Sequence, residues 1–311
     1  MNITLNDTST SDIASSLVSG QELFSLATGR VLTLLVEASA EDDLSSILLS
    51  VREATREHPA RVLVLVLGAA DAPTRLDAEI VLTAEEGASE MVVMHLSGKL
   101  VKHLDSVVTP LLLPDTPIVA WWPTTAPTRP ADSPLGTFAQ RRITNSRRDV
   151  SGNTLLRLSS GYTAGDSDMI WSRITLWRGI VASALDRNPG AGILSARITG
   201  PVDNPSVDIA AGWLASCLDV DVVRLPAEEP CAIIQNVPIT ELVITRTDGN
   251  IAITVVDERS VRISSPDLPD SYVAMTARTD AECLAEEMRH LDPDTAYARA
   301  LGGLVHIVAR P

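Results

Sequence analysis

In the first half of the chain, short runs of apolar residues alternate with segments in which apolar residues recur at helical spacing. Strands are predicted at 31–36, 62–67, 76–83, 91–96 and 118–121. The first two runs are continuously apolar, which is typical of strands buried on both faces of a parallel sheet. Leu44, Ile47, Leu48 and Val51 recur at helical spacing and predict a helix between these two strands. The alternation predicts a three-layer α/β domain with a mostly parallel sheet, of which 118–121 is the last strand.

The second half has a different pattern, which predicts an α+β domain with an antiparallel sheet. Apolar runs flank Asp248–Gly249, a strong signal for a β-hairpin. Asn204 followed by Pro205 is a helix start. Thr279 and Glu282 have the spacing of a capping box, which predicts another helix in this half of the chain.

A chain of 311 residues exceeds the size at which a single core keeps growing, so two domains are expected. We predict an α/β domain over 1–150, a connector rich in glycine and acids over 151–168, and an α+β domain over 169–311. The beginning of the sequence has neither a basic nor an apolar region of a secretory signal, and no apolar run is long enough to span a bilayer. A cytoplasmic protein is expected.

One segment departs from the charge pattern of the chain, whose formal net charge is −15. Residues 129–148 carry five arginines and a single acid. They follow two adjacent tryptophans and overlap a proline-rich stretch, 110–134, that is predicted to be an ordered loop. A basic and aromatic island on an acidic protein is typical of a specific partner site or phosphate site. The candidate partner-binding residues of this island are Trp121, Trp122, Arg141, Arg142, Arg147 and Arg148.

Three roles are open for Arg141 and Arg142. Their guanidinium groups could hold the loop together through carbonyl groups and acids. They could instead form part of a surface for a protein partner. They could also grip the oxygens of a sugar phosphate in paired hydrogen bonds, with Trp121 and Trp122 as an apolar platform beside them.

All five tryptophans lie between 121 and 213, a span that includes the predicted connector. Tryptophan and arginine are enriched among the residues that dominate interface energies. Helical spacing predicts that Trp177 is buried and that Trp171 and Arg178 share an adjacent strip facing the domain junction. Trp171, Arg173 and Arg178 therefore complete the set of candidate partner-binding residues.

Three ordered motifs resemble one bacterial family. The first is Trp-Trp-Pro at 121–123 followed by SPLGTFAQRRIT at 133–144, and the second is DMIWSRITLWR at 168–178. The third runs from the Asn-Pro-Ser of 204–206 to the Trp-Leu-Ala of 213–215. Together they are similar to OpcA, the glucose-6-phosphate dehydrogenase assembly protein family. The usual proline before the last tryptophan of the second motif is Leu176 here.

This resemblance implies a protein that associates with glucose-6-phosphate dehydrogenase and promotes its active oligomer, at the entry to the oxidative pentose phosphate pathway. It implies no cofactor and no catalytic activity. The alternative is a sugar-phosphate sensor that uses Arg141 and Arg142 directly. Because Lys99 and Lys102 are the only lysines, the arginine-rich composition suggests a high-GC and hence actinobacterial genome.

Known catalytic and nucleotide-binding patterns are missing from the sequence. No glycine-rich phosphate loop, nucleophile elbow or zinc-ligand spacing occurs, so neither a bound nucleotide nor a metal is expected. Paired carboxylates such as Glu286–Glu287 read as solvated faces. The acidic charge balance argues against nucleic-acid binding. Cys217, Cys231 and Cys283 form no close pair; the first sits at an apolar helical position and is expected in the core.

Overall fold

The computed structural model describes residues 1–24, 31–82, 90–187, 190–227 and 238–309. These residues divide into two compact units, each assembled from three stretches of chain. The first unit comprises Met1–Gly152, Gly161–Met169 and Asp280–Pro293. The second comprises Asn153–Ser160, Ile170–Thr279 and Asp294–Pro311. The chain therefore leaves each unit and returns to it.

The elements are numbered in chain order. The strands are β1 Asn2–Leu5, β2 Leu32–Ser39, β3 Ala60–Leu67, β4 Arg75–Leu82, β5 Glu90–Ser97, β6 Ile118–Trp121, β7 Arg141–Thr144, β8 Asp166–Asp168, β9 Ile193–Gly200, β10 Val222–Pro226, β11 Glu241–Arg246, β12 Gly249–Asp257, β13 Ser260–Ser265, β14 Leu268–Ala274 and β15 Ile307–Ala309. The helices are α1 Thr10–Phe24, α2 Leu44–Glu57, α3 Leu104–Val108, α4 Thr154–Ser160, α5 Met169–Arg173, α6 Thr175–Asp186, α7 Pro205–Leu218, α8 Asp280–Arg289 and α9 Thr295–Gly302.

The first unit contains an eight-stranded sheet in the order β1-β4-β5-β3-β2-β6-β7-β8. The six neighbouring strands β5, β3, β2, β6, β7 and β8 run parallel to one another. At the other edge, β4 is antiparallel to β5, and β1 is antiparallel to β4. Leu34 and Leu35 are both fully buried, because β2 is covered on both faces. Between β2 and β3, α2 begins at the carboxylate of Asp43, which accepts a hydrogen bond from the backbone of Ser46. The mostly parallel sheet predicted for the first half of the chain is confirmed.

The prediction that β6 ends this sheet is wrong. Two further parallel strands, β7 and β8, extend it, so Arg141 and Arg142 belong to a strand and not to a loop. The apolar pattern did not reveal these strands because both are short and carry polar side chains that are nevertheless buried. Their charged side chains can be buried because they pair with opposite charges inside the protein, so these buried strands lack the apolar run that usually marks a strand in the sequence.

Helix α8 packs in the first unit although it lies far along the chain. Cys283, Leu284 and Met288 join the core that also contains Val36 and Ile143, and the helix contacts α2 and β7. The domain boundaries predicted from the sequence place this helix in the second domain. The predicted connector also has structure of its own, because 151–168 contains α4 and the buried strand β8. The domain boundaries drawn from the sequence stay a prediction.

The second unit contains a seven-stranded sheet in the order β14-β13-β12-β11-β9-β10-β15. The five neighbouring strands β14, β13, β12, β11 and β9 pair in antiparallel fashion. They include the predicted hairpin at Asp248–Gly249, which joins β11 to β12. The sheet is mixed rather than antiparallel throughout, because β9, β10 and β15 run parallel to one another. Helix α7 begins where predicted, with the Asn204 side chain accepting from the backbone of Ser206. Among the described residues, no helix has the length and apolar character needed to cross a membrane.

Candidate partner-binding site

The first two sequence motifs meet in adjacent strands of the first unit. Strand β7, which ends the first motif, pairs in parallel with β8, which leads into the second. In the register of the two strands, Arg142 lies opposite Asp166 and Thr144 opposite Asp168. Residues about 24 positions apart in the chain are therefore neighbours. The end of the first motif and the first residue of the second therefore lie side by side in this unit.

Asp168 is the centre of this contact, and its side chain is completely buried. Its carboxylate accepts hydrogen bonds from the Thr144 hydroxyl, at 2.7 Å, and from the backbone nitrogen of Ser146, at 3.0 Å. The hydroxyl of Ser146 donates to the same carboxylate oxygen. A buried carboxylate must be matched in this way. Asp168 thus fixes the chain where it leaves β7.

Arg142 is buried and its guanidinium binds only groups of the first unit. Its Nε lies 2.5 Å from Oδ1 of Asp166, and its two terminal nitrogens donate to the carbonyl oxygens of Ala139 and Ala164. Gly165 passes close by, with a positive φ of 97° that favours glycine. These contacts tie the segment before β7 to the segment before β8.

Arg141 is also buried, with 4% of its surface exposed. Its Nη2 lies 2.5 Å from Oε2 of Glu287 on α8 and 3.1 Å from the hydroxyl of Ser167. Its Nη1 donates to the carbonyl oxygen of Asp292 at 3.3 Å. The contacts of Arg141 and Arg142 are those of the scaffolding alternative. Their burial leaves little side-chain surface for a partner or a phosphate, so a direct binding role stays a prediction for both.

Trp121 and Trp122 are buried as well. The indole nitrogen of Trp121 lies 3.1 Å from the sulfur of Met169, and that of Trp122 donates to Oε2 of Glu37 at 3.0 Å. Burial raises the pKa of the Glu37 carboxyl, and the hydrogen bond from Trp122 opposes that rise. Both tryptophans therefore stabilise the interior of the first unit, and neither presents an open aromatic platform.

The edge between β2 and β6 is where an open parallel sheet usually binds a ligand. From β2 the chain goes to β3 on one side, while β6 lies on the other, so the strand order reverses here. Here Thr124 donates to Asp42 at 2.9 Å, and Asp43 occupies the start of α2, where a phosphate would otherwise bind. An anionic ligand would face these carboxylates, so this edge does not have the chemistry of a dinucleotide site.

Arg147 and Arg148 differ from Arg141 and Arg142 because both are exposed. They lie in the turn after β7. Arg148 pairs with Asp280 at 2.7 Å, and its side chain keeps 43% of its surface exposed. The structure thus separates the six candidates of the island into four buried framework residues and two residues on the surface.

In the second unit, Trp171 on α5 is surrounded by groups from two other segments, α6 and the start of α9. The guanidinium carbon of Arg178 lies 3.5 Å from the centre of its ring, in a cation–π contact, and the ring of Tyr297 lies 5.8 Å away. Its indole nitrogen donates to Asp294 at 2.7 Å. The other carboxylate oxygen of Asp294 caps α9. Trp171 therefore joins α5, α6 and α9, and only 3% of its surface is exposed.

Arg173, the remaining candidate, is partly buried and binds backbone. Its Nη1 donates to the carbonyl oxygen of Arg278 at 2.6 Å, and Arg278 donates in return to that of Ser172 at 2.9 Å. This exchange holds the end of α5 against the segment that precedes α8. The partner-binding role of Trp171, Arg173 and Arg178 stays a prediction.

Sequence reasoning missed Glu37 and Glu287. The pair Glu286–Glu287 was expected to be solvated, but only 2% of Glu287 is exposed. The sequence did contain a sign that Glu287 is buried, because Glu287 shares a helical face with the apolar residues Cys283, Leu284 and Met288. Glu37 directly follows the apolar run 31–36, and its position at the end of a buried strand was the available sign.

The cysteines also differ from expectation. Cys217 is exposed on α7 rather than in the core, whereas Cys283 is fully buried. Cys231 lies outside the described residues. Within the described ranges, no three side chains of histidine, cysteine, aspartate or glutamate lie close enough to hold a metal ion.

The fold and this network define an α/β protein with two sheets, in which buried side chains of the first two motifs hold the framework together. Two family profiles match it in order. Residues 51–160 match the glucose-6-phosphate dehydrogenase subunit N-terminal domain, and residues 164–301 match the C-terminal domain of the same subunit. The chain belongs to the OpcA family of glucose-6-phosphate dehydrogenase assembly proteins.

Curated proteins and solved structures add little to this assignment. No curated protein matches the sequence. A crystal structure of a Gfo/Idh/MocA family oxidoreductase from Vibrio cholerae matches with 10% identity, covering 87% of this chain and 94% of that one. Its TM-score is 0.37, which is too low to carry an argument about fold or activity.

Proposed function

We propose that this protein binds glucose-6-phosphate dehydrogenase in the cytoplasm and favours the active oligomer of that enzyme, without catalysing a reaction itself. The observation that carries the proposal is the pair of family matches, which together span most of the chain. The buried motif residues agree with it, since Arg141 pairs with Glu287 and Arg142 with Asp166 instead of lining an open cleft.

The physical mechanism is linkage between binding and assembly. A partner that binds the competent oligomer more tightly than the inactive form shifts the population toward the competent oligomer. The shift cannot exceed the difference between the two affinities. A coupling free energy of about 1–3 kcal/mol is usual for such an effect. This would change the equilibrium constant between the inactive and the competent form by roughly 5-fold to 150-fold.

Mixing experiments test the proposal. The purified protein and its cognate dehydrogenase should co-elute, and light scattering should show a larger share of the active oligomer than in the enzyme alone. Enzyme activity or affinity for glucose 6-phosphate should rise in parallel. Identical oligomeric state and kinetics with and without this protein would overturn the proposal.

The sugar-phosphate sensor is the other candidate. It requires Arg141 and Arg142 to release Glu287 and Asp166 before they can bind a phosphate, which would leave two buried carboxylates without counter-ions. Calorimetric titration of the isolated protein with glucose 6-phosphate separates the two candidates. Tight binding without the dehydrogenase would favour the sensor.

A further inference from the structure

The turn that follows β7, residues 145–151, carries Arg147 and Arg148, the two exposed residues among the six candidates of the arginine island. We refer to it as the arginine turn. We propose that the arginine turn is a docking surface for an acidic patch of glucose-6-phosphate dehydrogenase, with Arg147 supplying charge and Val150 supplying apolar contact. This proposal rests on the proposed function, and it adds the surface and the chemistry of recognition.

The arginine turn is held in place by buried hydrogen bonds on its first residues. The side-chain nitrogen of Asn145 donates to the carbonyl oxygen of Pro123 at 3.1 Å. Ser146 donates to the buried carboxylate of Asp168 through both its backbone nitrogen and its hydroxyl. The backbone nitrogen of Arg148 donates to the carbonyl oxygen of Asn145 at 3.0 Å. The turn thus has a defined shape before any partner binds.

In the arginine turn, the acidic side chain bonds to the protein's own backbone, whereas the two arginine side chains are exposed. Its acid, Asp149, is engaged with the protein itself, accepting from the backbone nitrogen of Ala126 at 3.1 Å and from that of Ser151 at 2.9 Å. Arg147 and Arg148 are exposed. Arg148 pairs with Asp280 at 2.7 Å and keeps 43% of its side chain exposed. The arginine turn therefore presents two guanidinium groups at the surface of a chain with a formal net charge of −15.

Val150 adds an apolar group next to these charges. Its exposed fraction is 91%, the highest among the large apolar side chains that the structure describes. Full burial of such a side chain contributes about 1.5–3 kcal/mol of hydrophobic free energy. Isolated exposed apolar residues are common on protein surfaces. What distinguishes Val150 is its place on a preformed turn that also carries two exposed arginines, one of which, Arg148, pairs with Asp280.

An acidic protein surface is the occupant that fits this combination. Opposite charge raises the association rate and fixes the register of a complex. A preformed turn loses little conformational entropy on binding, so more of the contact energy appears as affinity. A positive turn on an acidic protein also makes docking specific to that turn, because the acidic remainder of the surface repels an acidic partner.

The test compares three variants for binding to the cognate dehydrogenase by calorimetry at low and high salt. Arg147→Glu should weaken binding by about tenfold or more at low salt, and the difference from wild type should shrink as salt screens the charges. Val150→Ser should weaken binding several-fold at both salt concentrations, because its contribution is apolar. Arg147→Lys keeps the charge and should bind within about threefold of wild type.

Matched controls come from exposed positions outside the arginine turn. Arg52→Glu on α2 makes the same charge change, and Val305→Ser removes a valine that is 82% exposed. Both should bind like wild type, and all variants should keep the wild-type melting temperature. If wild type binds but Arg147→Glu and Val150→Ser bind equally well, the docking surface is wrong while the proposed function stands. If wild type does not bind the dehydrogenase, both are wrong.

Discussion

Arg141 and Glu287 are 146 positions apart in the chain and form a buried ion pair. Nη2 of Arg141 lies 2.5 Å from Oε2 of Glu287, and the two side chains are 4% and 2% exposed. The pair joins β7 to α8, the helix that the C-terminal part of the chain contributes to the first unit. Each charge is tolerated in the interior because the other is present.

The first prediction follows from this pair. Arg141→Met should lower the free energy of unfolding by about 3–5 kcal/mol, because the Glu287 carboxylate is left buried without its counter-ion. Urea denaturation followed by tryptophan fluorescence measures the change. Arg129→Ala is the control, since Arg129 pairs with Asp132 at 3.0 Å on the surface and its loss should cost less than about 1 kcal/mol.

A double variant tests the cause of that loss. Arg141→Met combined with Glu287→Leu removes both charges and should recover a substantial part of the stability lost in the single variant. If the double variant is as unstable as the sum of the two single variants, the pair does not act through charge compensation. A near-neutral Arg141→Met would contradict the buried ion pair itself.

A second prediction concerns Asp294, which both caps α9 and accepts from the indole of Trp171. Asp294→Ala should cost about 1 kcal/mol for the lost cap and about 1–3 kcal/mol for the indole donor left without an acceptor. Asp294→Asn retains a capping oxygen and should be milder. Equal stability losses for the two substitutions would show that capping is not the cause.

A third prediction concerns the pH dependence produced by Glu37. Because burial raises its pKa in the folded protein, its favourable contribution exists at pH values below the unfolded pKa and is lost as pH rises through the folded pKa. Glu37→Gln removes this loss while its amide oxygen can still accept from Trp122. The variant should therefore melt above wild type at neutral pH.

The difference in melting temperature between Glu37→Gln and wild type should close as the pH falls toward 4.5, the ordinary pKa of a glutamate. Melting curves between pH 4.5 and 8 measure it. Glu53→Gln, at an exposed position on α2, is the control and should show no comparable gap. A gap that is the same at every pH would mean that the effect is not one of ionisation.

A fourth prediction uses trypsin, which cleaves after lysine and arginine. The sequence predicts cleavage between about 150 and 168, where glycine and acids replace periodic apolar residues. In the structure the exposed Arg147 and Arg148, just before this stretch, are the expected tryptic sites. The adjacent residues 150–153 are exposed, whereas β7 and β8 are buried. Mass spectrometry of early fragments identifies the cut. First cleavage after Arg141 or Arg142 would contradict their burial.

The fifth prediction concerns the thiols. A maleimide reagent should modify the exposed Cys217 rapidly and the buried Cys283 only when the protein opens. Peptide mapping at successive times distinguishes these two sites from each other and from Cys231. Rapid labelling of Cys283 in the native protein would show that α8 leaves the first unit readily.

The sequence by itself determined the elements whose signal is local. The continuous apolar runs gave β2 and β3, helical spacing gave α2, and Asn204 with Pro205 marked the start of α7. The Asp248–Gly249 turn marked a hairpin for the same reason, because its backbone requirements are met by adjacent residues. The ordered motifs also determined the family, since motif order is a property of the chain itself.

Only the tertiary structure decided which arginines are buried. Arg141, Arg142, Arg147 and Arg148 look alike in the sequence, yet the first two lie in a strand and the last two on the surface. The carboxylates that permit the burial come from Asp166 and Glu287, which are distant in the chain. The burial of Arg141 and Arg142 depends on counter-ions supplied by other segments, so the sequence around the arginines could not predict it.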